Sequence, residues 1–139
     1  MNVFYLASPY THPDPLVRDE RYRAAKQATE YLIQQGLCVF SPIAYCHCLS
    51  LHGKLGGDWT AWRDFDKSFL SRCDELLILI IPGWRHSVGV RAEISFARAF
   101  HKPIHFAFVN EKPDYNVQLG NVIKAETLEY ELLEEMLSI

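Results

Sequence analysis

The chain has 139 residues, 49% of them hydrophobic and 22% charged, with a formal net charge of −3. This composition describes a single domain, residues 1–139, able to bury a core of its own, and it lacks the basic footprint of a duplex nucleic-acid binder or a membrane-surface protein. No apolar run approaches the roughly 20 residues needed to cross a bilayer and no leader-like segment opens the chain, so a cytoplasmic protein with a small-molecule partner is expected.

In chain order, Asn2 to Ala7 is a short β-like run that leaves through Ser8-Pro9-Tyr10-Thr11-His12-Pro13, rich in turn formers. Asp14 followed by Pro15 gives an N-cap and first helical position, and Ala24, Ala28, Tyr31 and Leu32 recur at helical spacing until Gly36, which predicts a helix over about residues 15–35. Leu37 to Phe40 reads as a second strand, and Ser41-Pro42 as the start of a small helix reaching toward Leu51. Gly53 to Gly57 reads as a loop.

Asp58 is placed to cap a helix from about Trp59 to Cys73, with Trp62, Phe69, Leu70 and Cys73 as its apolar stripe. Asp66 falls on that stripe, four residues from both Trp62 and Leu70, and is expected to face inward or into a pocket. Glu75 to Ile81 is too continuous for a one-faced strand and reads as a central parallel strand buried on both faces, ended by Pro82-Gly83. Ser87 then caps a helix with Gly89 in its first turn, where a missing Cβ admits a ligand, and Glu93 lies on the stripe of Gly89, Phe96 and Phe100. Pro103 to Val109 is a fourth strand, residues 110–120 a loop, Asn121 to Ile123 a short edge strand, and Thr127 to Leu137 a terminal amphipathic helix.

Alternating strands and helices predict a three-layer α/β fold, flavodoxin-like or Rossmann-like, with a mainly parallel sheet of four to five strands and helices on both faces. In such a sheet the loops after Ala7, Phe40 and Ile81 converge on one crevice, which makes Tyr5, Ser8, Asp66, Ser87 and Glu93 expected neighbours. Four cysteines, Cys38, Cys46, Cys48 and Cys73, are too few for a disulfide framework and read as reduced thiols. Cys46-His47-Cys48 with His52 lacks the spacing of a structural zinc site, so no metal is expected. There is no Walker loop, dinucleotide fingerprint or serine-nucleophile elbow, and no cofactor is expected.

Tyr5-Leu6-Ala7, Asp66 eight positions before Asp74, and Ser87-x-Gly89-Val90-x-x-Glu93 together resemble the nucleoside 2-deoxyribosyltransferase superfamily over about residues 2–109. The resemblance is closest to a small bacterial and phage branch with Pro-Gly-Trp-x-x-Ser-x-Gly-x-x-x-Glu, here Pro82 to Glu93. It implies that Glu93 is a nucleophile toward the anomeric carbon of a nucleoside, kept ionised by the helix start, that Tyr5 orients it, and that Asp66 helps protonate the departing base. Transferases of the superfamily tend to carry an aspartate where this chain has Ser87, which is similar to related hydrolases of nucleoside 5′-monophosphates. Ser87, the N–H groups of Val88 to Val90 and Ser8 would then cradle a 5′-phosphate, with Arg85, His86 and Arg91 adding positive charge. Asn116 and Gly120 to Lys124 resemble the part that completes a neighbouring subunit's site, which implies a homo-oligomer.

The residues by themselves leave other readings open. Glu93 could be an ordinary helix-start carboxylate, Asp66 a paired core carboxylate, Ser87 only a cap and Tyr5 only a strand former. Trp59, Trp62 and Trp84 read first as packing residues, with Trp84, in the turn, expected to be exposed enough for stacking on a base to be its alternative reading. The function expected is N-glycosidic cleavage of a nucleoside 5′-monophosphate with water as acceptor. A base-exchanging transferase and a non-catalytic nucleotide-sensing domain are the alternatives.

Overall fold

The computed structural model describes residues 1–52, 59–109 and 117–118. Strand β1, Val3–Ala7, is followed by helix α1, Pro15–Gln34, whose first turn is closed by Asp14: its Oδ1 accepts the Leu16 N–H at 2.9 Å and Pro15 supplies the fixed φ. The helix buries Ala24, Ala25, Ala28 and Leu32 and stops at Gly36, whose φ of +88° a residue with a Cβ rarely adopts. Strand β2, Cys38–Phe40, leads through buried Ser41 into helix α2, Pro42–His52, where Ser41 Oγ accepts the Ala44 N–H at 3.1 Å.

Helix α3, Trp59–Arg72, strand β3, Glu75–Ile80, a 3-10 turn at Trp84–His86, helix α4, Val88–Ala99, and strand β4, Ile104–Val109, follow in order. Strand β5, Val117–Gln118, closes the sheet. The strand order is β2-β1-β3-β4-β5, parallel except for β5, which runs antiparallel to β4. Alternation along the strands splits the core in two: Tyr5, Ala7, Leu76, Ile78, Ile104 and Phe106 face α3 and α4, while Leu6, Leu77, Leu79 and Ala107 face α1. That is the three-layer α/β architecture expected of the alternating pattern. Because the chain passes from β1 outward to β2 and then returns across β1 to β3, the loops leaving β1 and β3 diverge and open a crevice between them.

Three local expectations are corrected. The stretch read as a loop over 110–120 contains β5, too short a strand to show a period of its own. Phe69 and Phe100, assigned to buried stripes, are each 38% exposed; the stripe that α4 buries is Val90, Glu93, Ile94 and Ala97. The 3-10 turn before Ser87 was not anticipated, since three residues give no periodicity. The loop at 53–57, the cap at Asp58, Asn116, the Gly120 to Lys124 stretch with the strand at 121–123, and the helix at 127–137 lie outside the described residues.

Candidate active site

The crevice holds a cavity of about 350 Å³, a volume suited to a small ligand. Each wall comes from a different element. Ser8, Tyr10 and Thr11 follow β1; Pro42, Ile43, Cys46, His47 and Ser50 line one face of α2; Thr60, Trp62 and Asp66 come from α3. His86, Ser87, Val88, Gly89 and Glu93 supply the last wall, at the start of α4.

Ser87 holds that start in place. Its hydroxyl accepts the Val90 N–H at 3.2 Å, in extended backbone geometry with φ −71° and ψ 119°. Glu93 follows in the second turn, on the buried side of α4 beside Val90, Ile94 and Ala97, so the residues that seat the helix also carry its carboxylate into the crevice. Asp66 reaches the same cavity from α3, on the face that buries Leu70.

Tyr5, wholly buried on β1, completes the group. Its hydroxyl lies near enough to Glu93 to favour the ionised carboxylate but outside hydrogen-bond geometry, and Tyr5 Oη, Glu93 Oε2, Asp66 Oδ1 and Ser8 Oγ have no hydrogen-bond partner among the described residues. Buried polar atoms are normally paired, so these four, gathered at the crevice, leave hydrogen-bonding capacity there that a ligand could use.

Burial governs the protonation of these groups. It pushes Asp66 up to about 7. Burial, then the charge of Asp66, holds Glu93 well above the ordinary glutamate value, against the opposing effect of the Tyr5 hydroxyl. Tyr5 is raised as well, by burial first and then by the two carboxylates, so it stays a phenol and a donor. The helix start was expected to favour an ionised Glu93 and Tyr5 to orient it; the Tyr5 hydroxyl does favour the ionised form, and burial opposes it more strongly. With both carboxyls buried in one cavity and the charge of Asp66 opposing that of Glu93, a state with a single negative charge is favoured over one with two.

Trp84 is the other correction. It is 5% exposed and packs edge-on over Phe106, ring centroids 6.2 Å apart, within the core between the sheet and α4. The 3-10 turn rotates it inward, and it does not line the cavity. Ser8, Asp66, Ser87, Gly89 and Glu93 do, with Tyr5 directly behind Glu93.

Sequence reasoning missed the α2 wall. His47 is buried, with its Nδ1 2.7 Å from the Tyr10 hydroxyl and its ring stacked on Tyr22 at 4.0 Å between centroids, planes 14° apart. The available signal was its place after the C-terminal end of β2, where loops of such sheets meet ligands; its neighbouring cysteines drew attention to zinc instead. Cys46 is a buried thiol pushed up to about 12 by burial and by Asp66, whereas Cys48 is exposed. Among the described residues no group of three His, Cys, Asp or Glu side chains is arranged to hold a metal ion. Nor is any helix there long and apolar enough to cross a membrane.

A family profile described as a domain of unknown function, DUF1937, matches residues 2–108. The chain belongs to the DUF1937 family. That match spans both carboxylates, Tyr5 and the whole of α4. The DUF1937 domain is also similar to the solved structure of a 2-deoxyribosyltransferase from the psychrotolerant bacterium Bacillus psychrosaccharolyticus, with a TM-score of 0.54 and 22% identity over 79% of this chain and 74% of that one. The fold is therefore shared with the superfamily that the sequence motifs resemble. No curated protein sequence matches the chain.

Proposed function

We propose that this DUF1937 domain cleaves the N-glycosidic bond of a nucleoside 5′-monophosphate. The observation that carries the reading is the pair of buried carboxyls, Asp66 and Glu93, in one cavity with the Tyr5 hydroxyl beside Glu93. A pair that shares one proton holds a nucleophile and an acid at once. As positive charge develops at the anomeric carbon, it draws the negative charge onto Glu93, where Tyr5 also favours it. The Glu93 carboxylate bonds to that carbon, the carbon–nitrogen bond breaks, and the base leaves with the electron pair and takes the proton of Asp66. Water then attacks the glycosyl ester, gives its proton to Asp66, and frees Glu93.

The ends of the cavity support an order for the substrate. Ser87 and the first turn of α4 offer a hydroxyl and N–H groups to a phosphate, with Ser8 opposite. Glu93 and Asp66 would then meet the sugar, and the base would extend toward α2 and α3, among Ile43, His47 and Trp62. Ser87 carries no charge, whereas an aspartate there would repel the phosphate.

The same reading includes a homo-oligomer. Tyr45, 58% exposed, and Phe69 stand with Phe40 and Phe65 in a connected aromatic group on α2, α3 and β2, with Phe40 and Phe69 stacked at 4.4 Å. An exposed aromatic surface of this kind favours association. Sedimentation of the wild type against Tyr45→Lys checks it: a lighter particle for the variant is expected, and a wild-type monomer would refute it.

Free base released from ribo- and deoxyribonucleosides and their 5′-monophosphates, followed by chromatography, tests the activity. Release confined to monophosphates without added base is expected. Release only when a second base is supplied would make the protein a transferase, and ligand binding without release from any substrate would make it a nucleotide sensor.

A further inference from the structure

Arg21 projects from α1 toward the two loops that form the crevice. Its Nη1 donates to the Thr11 carbonyl at 2.9 Å, in the loop after β1. The same guanidinium lies against Gly83, in the turn after β3: a methyl group on Gly83 would stand 3.2 Å from Arg21 Cζ and closer still to Nη2. Gly83 has φ +94° and starts the 3-10 turn that delivers Ser87 and α4. Among the described residues no carboxylate is paired with Arg21, and burial lowers its pKa. The guanidinium is partly buried, has no ion-pair partner among the described residues, and touches backbone on both sides of the ligand cavity.

We infer that Arg21 is a positioning residue, a clamp between the Thr11 carbonyl and the Gly83 backbone that sets where Ser8 and Tyr10 stand relative to Ser87 and Glu93. The inference rests on the proposed reaction for its catalytic consequence, though not for its geometry. The planar guanidinium spans the two loops as a flat spacer whose stem is fixed by α1, seated next to Arg21 through Ala24, Ala25 and Ala28. A lysine keeps the charge but has no plane to lay on Gly83 and a single point from which to donate. Gly83 is thus required for two reasons: its left-handed backbone, and the guanidinium occupying the space of a Cβ.

The test compares Arg21→Lys, Arg21→Met, Gly83→Ala, the double variant Arg21→Met/Gly83→Ala, and Leu32→Ala as a control that loosens α1 away from the site. Well below the unfolding temperature, both Arg21 variants should lose about 10- to 100-fold in kcat/KM for base release, the size expected when reacting groups are displaced by about 1 Å. They should also shift the amide resonances of Gly83 and His86 to Gly89 as well as Thr11. Leu32→Ala should lower Tm at least as much while keeping kcat/KM within about threefold, because it removes core packing without touching either loop. In the double variant Gly83→Ala should cost less in Tm than it does alone, since the guanidinium it collides with is gone. Amide shifts confined to α1 and Thr11, or a loss of kcat/KM that tracks Tm across all variants including Leu32→Ala, would overturn the clamp. If the wild type releases no base, the proposed reaction fails, and the amide shifts and the Tm coupling decide the clamp alone.

Discussion

At the start of the strands, Glu75 accepts a hydrogen bond from Asn2 at 3.0 Å and pairs with His105 at 2.8 Å, while Asp74 accepts the Val3 N–H at 2.7 Å. At the other end of the same sheet, Glu93, Asp66, Tyr5 and Ser8 each leave a buried polar atom unmatched among the described residues. Both ends hold two carboxylates: those at the start are tied into the fold, although His105 Nδ1 there is itself unmatched among the described residues, and those at the crevice each leave an oxygen unmatched. Matched polar groups stabilise a sheet end, and unmatched ones cost stability and are retained where a ligand completes them. The crevice is therefore read as the working end and the opposite one as structural.

The sharpest way to break this comparison is Glu93→Gln. It removes the proposed nucleophile while keeping shape, so base release should fall at least about a thousandfold with monophosphate affinity changed little, measured by rapid quench and calorimetry.

Asp66→Asn should lower kcat about 100- to 1,000-fold by removing the acid. The wild-type rate should rise as pH passes upward through about 7, where the pair loses its first proton, and fall at higher pH as the acid proton is lost; in the variant the falling limb should vanish, while a rise that ionises the still-buried Glu93 should persist. The same substitution should raise stability. Asp66 binds its proton more tightly when folded than unfolded, so its cost is absent below about pH 4, grows as pH rises, and is complete above about 7. At pH 8 the gain should be about 2 kcal/mol, allowing for partial solvent access, and it should disappear near pH 4.

Ser87→Asp is a smaller change that separates capping from phosphate binding. Aspartate caps a helix as well as serine does, so Tm should hold, while KM for monophosphates should rise about 10- to 100-fold and that for unphosphorylated nucleosides should not. The least effect on turnover is expected at the opposite end: Glu75→Gln should cost about 1–3 kcal/mol in urea unfolding and leave kcat/KM unchanged.

Much of this division was legible in the chain. Asp14-Pro15, Gly36, Ser41-Pro42 and Ser87 marked helix ends because capping chemistry is local, and the apolar runs at Glu75 and Pro103 marked the central strands because two-sided burial leaves no alternation. Asp66 and Glu93 both stood out as charges on apolar stripes, Glu93 beside the glycine-bearing turn, and the roles expected of them came from the family resemblance. What escaped was set by contacts distant in sequence. Trp84 turns inward because Phe106, on another strand, provides a surface for it. His47 becomes part of the wall through Tyr10 and Tyr22, both remote from it in the chain. Arg21 looks like any helix-surface arginine until the left-handed turn at Gly83 is seen against it. The raised pKa of Glu93 likewise comes from enclosure by three elements, which no spacing records.

The central claim is that Glu93 forms a bond to the sugar. Mass spectrometry of peptides from enzyme quenched in acid within milliseconds of mixing with a nucleoside 5′-monophosphate tests it directly. The account predicts a pentose 5-phosphate adduct on the peptide containing Glu93, absent from Glu93→Gln. Turnover without any adduct, or an adduct on Asp66 in its place, would contradict it.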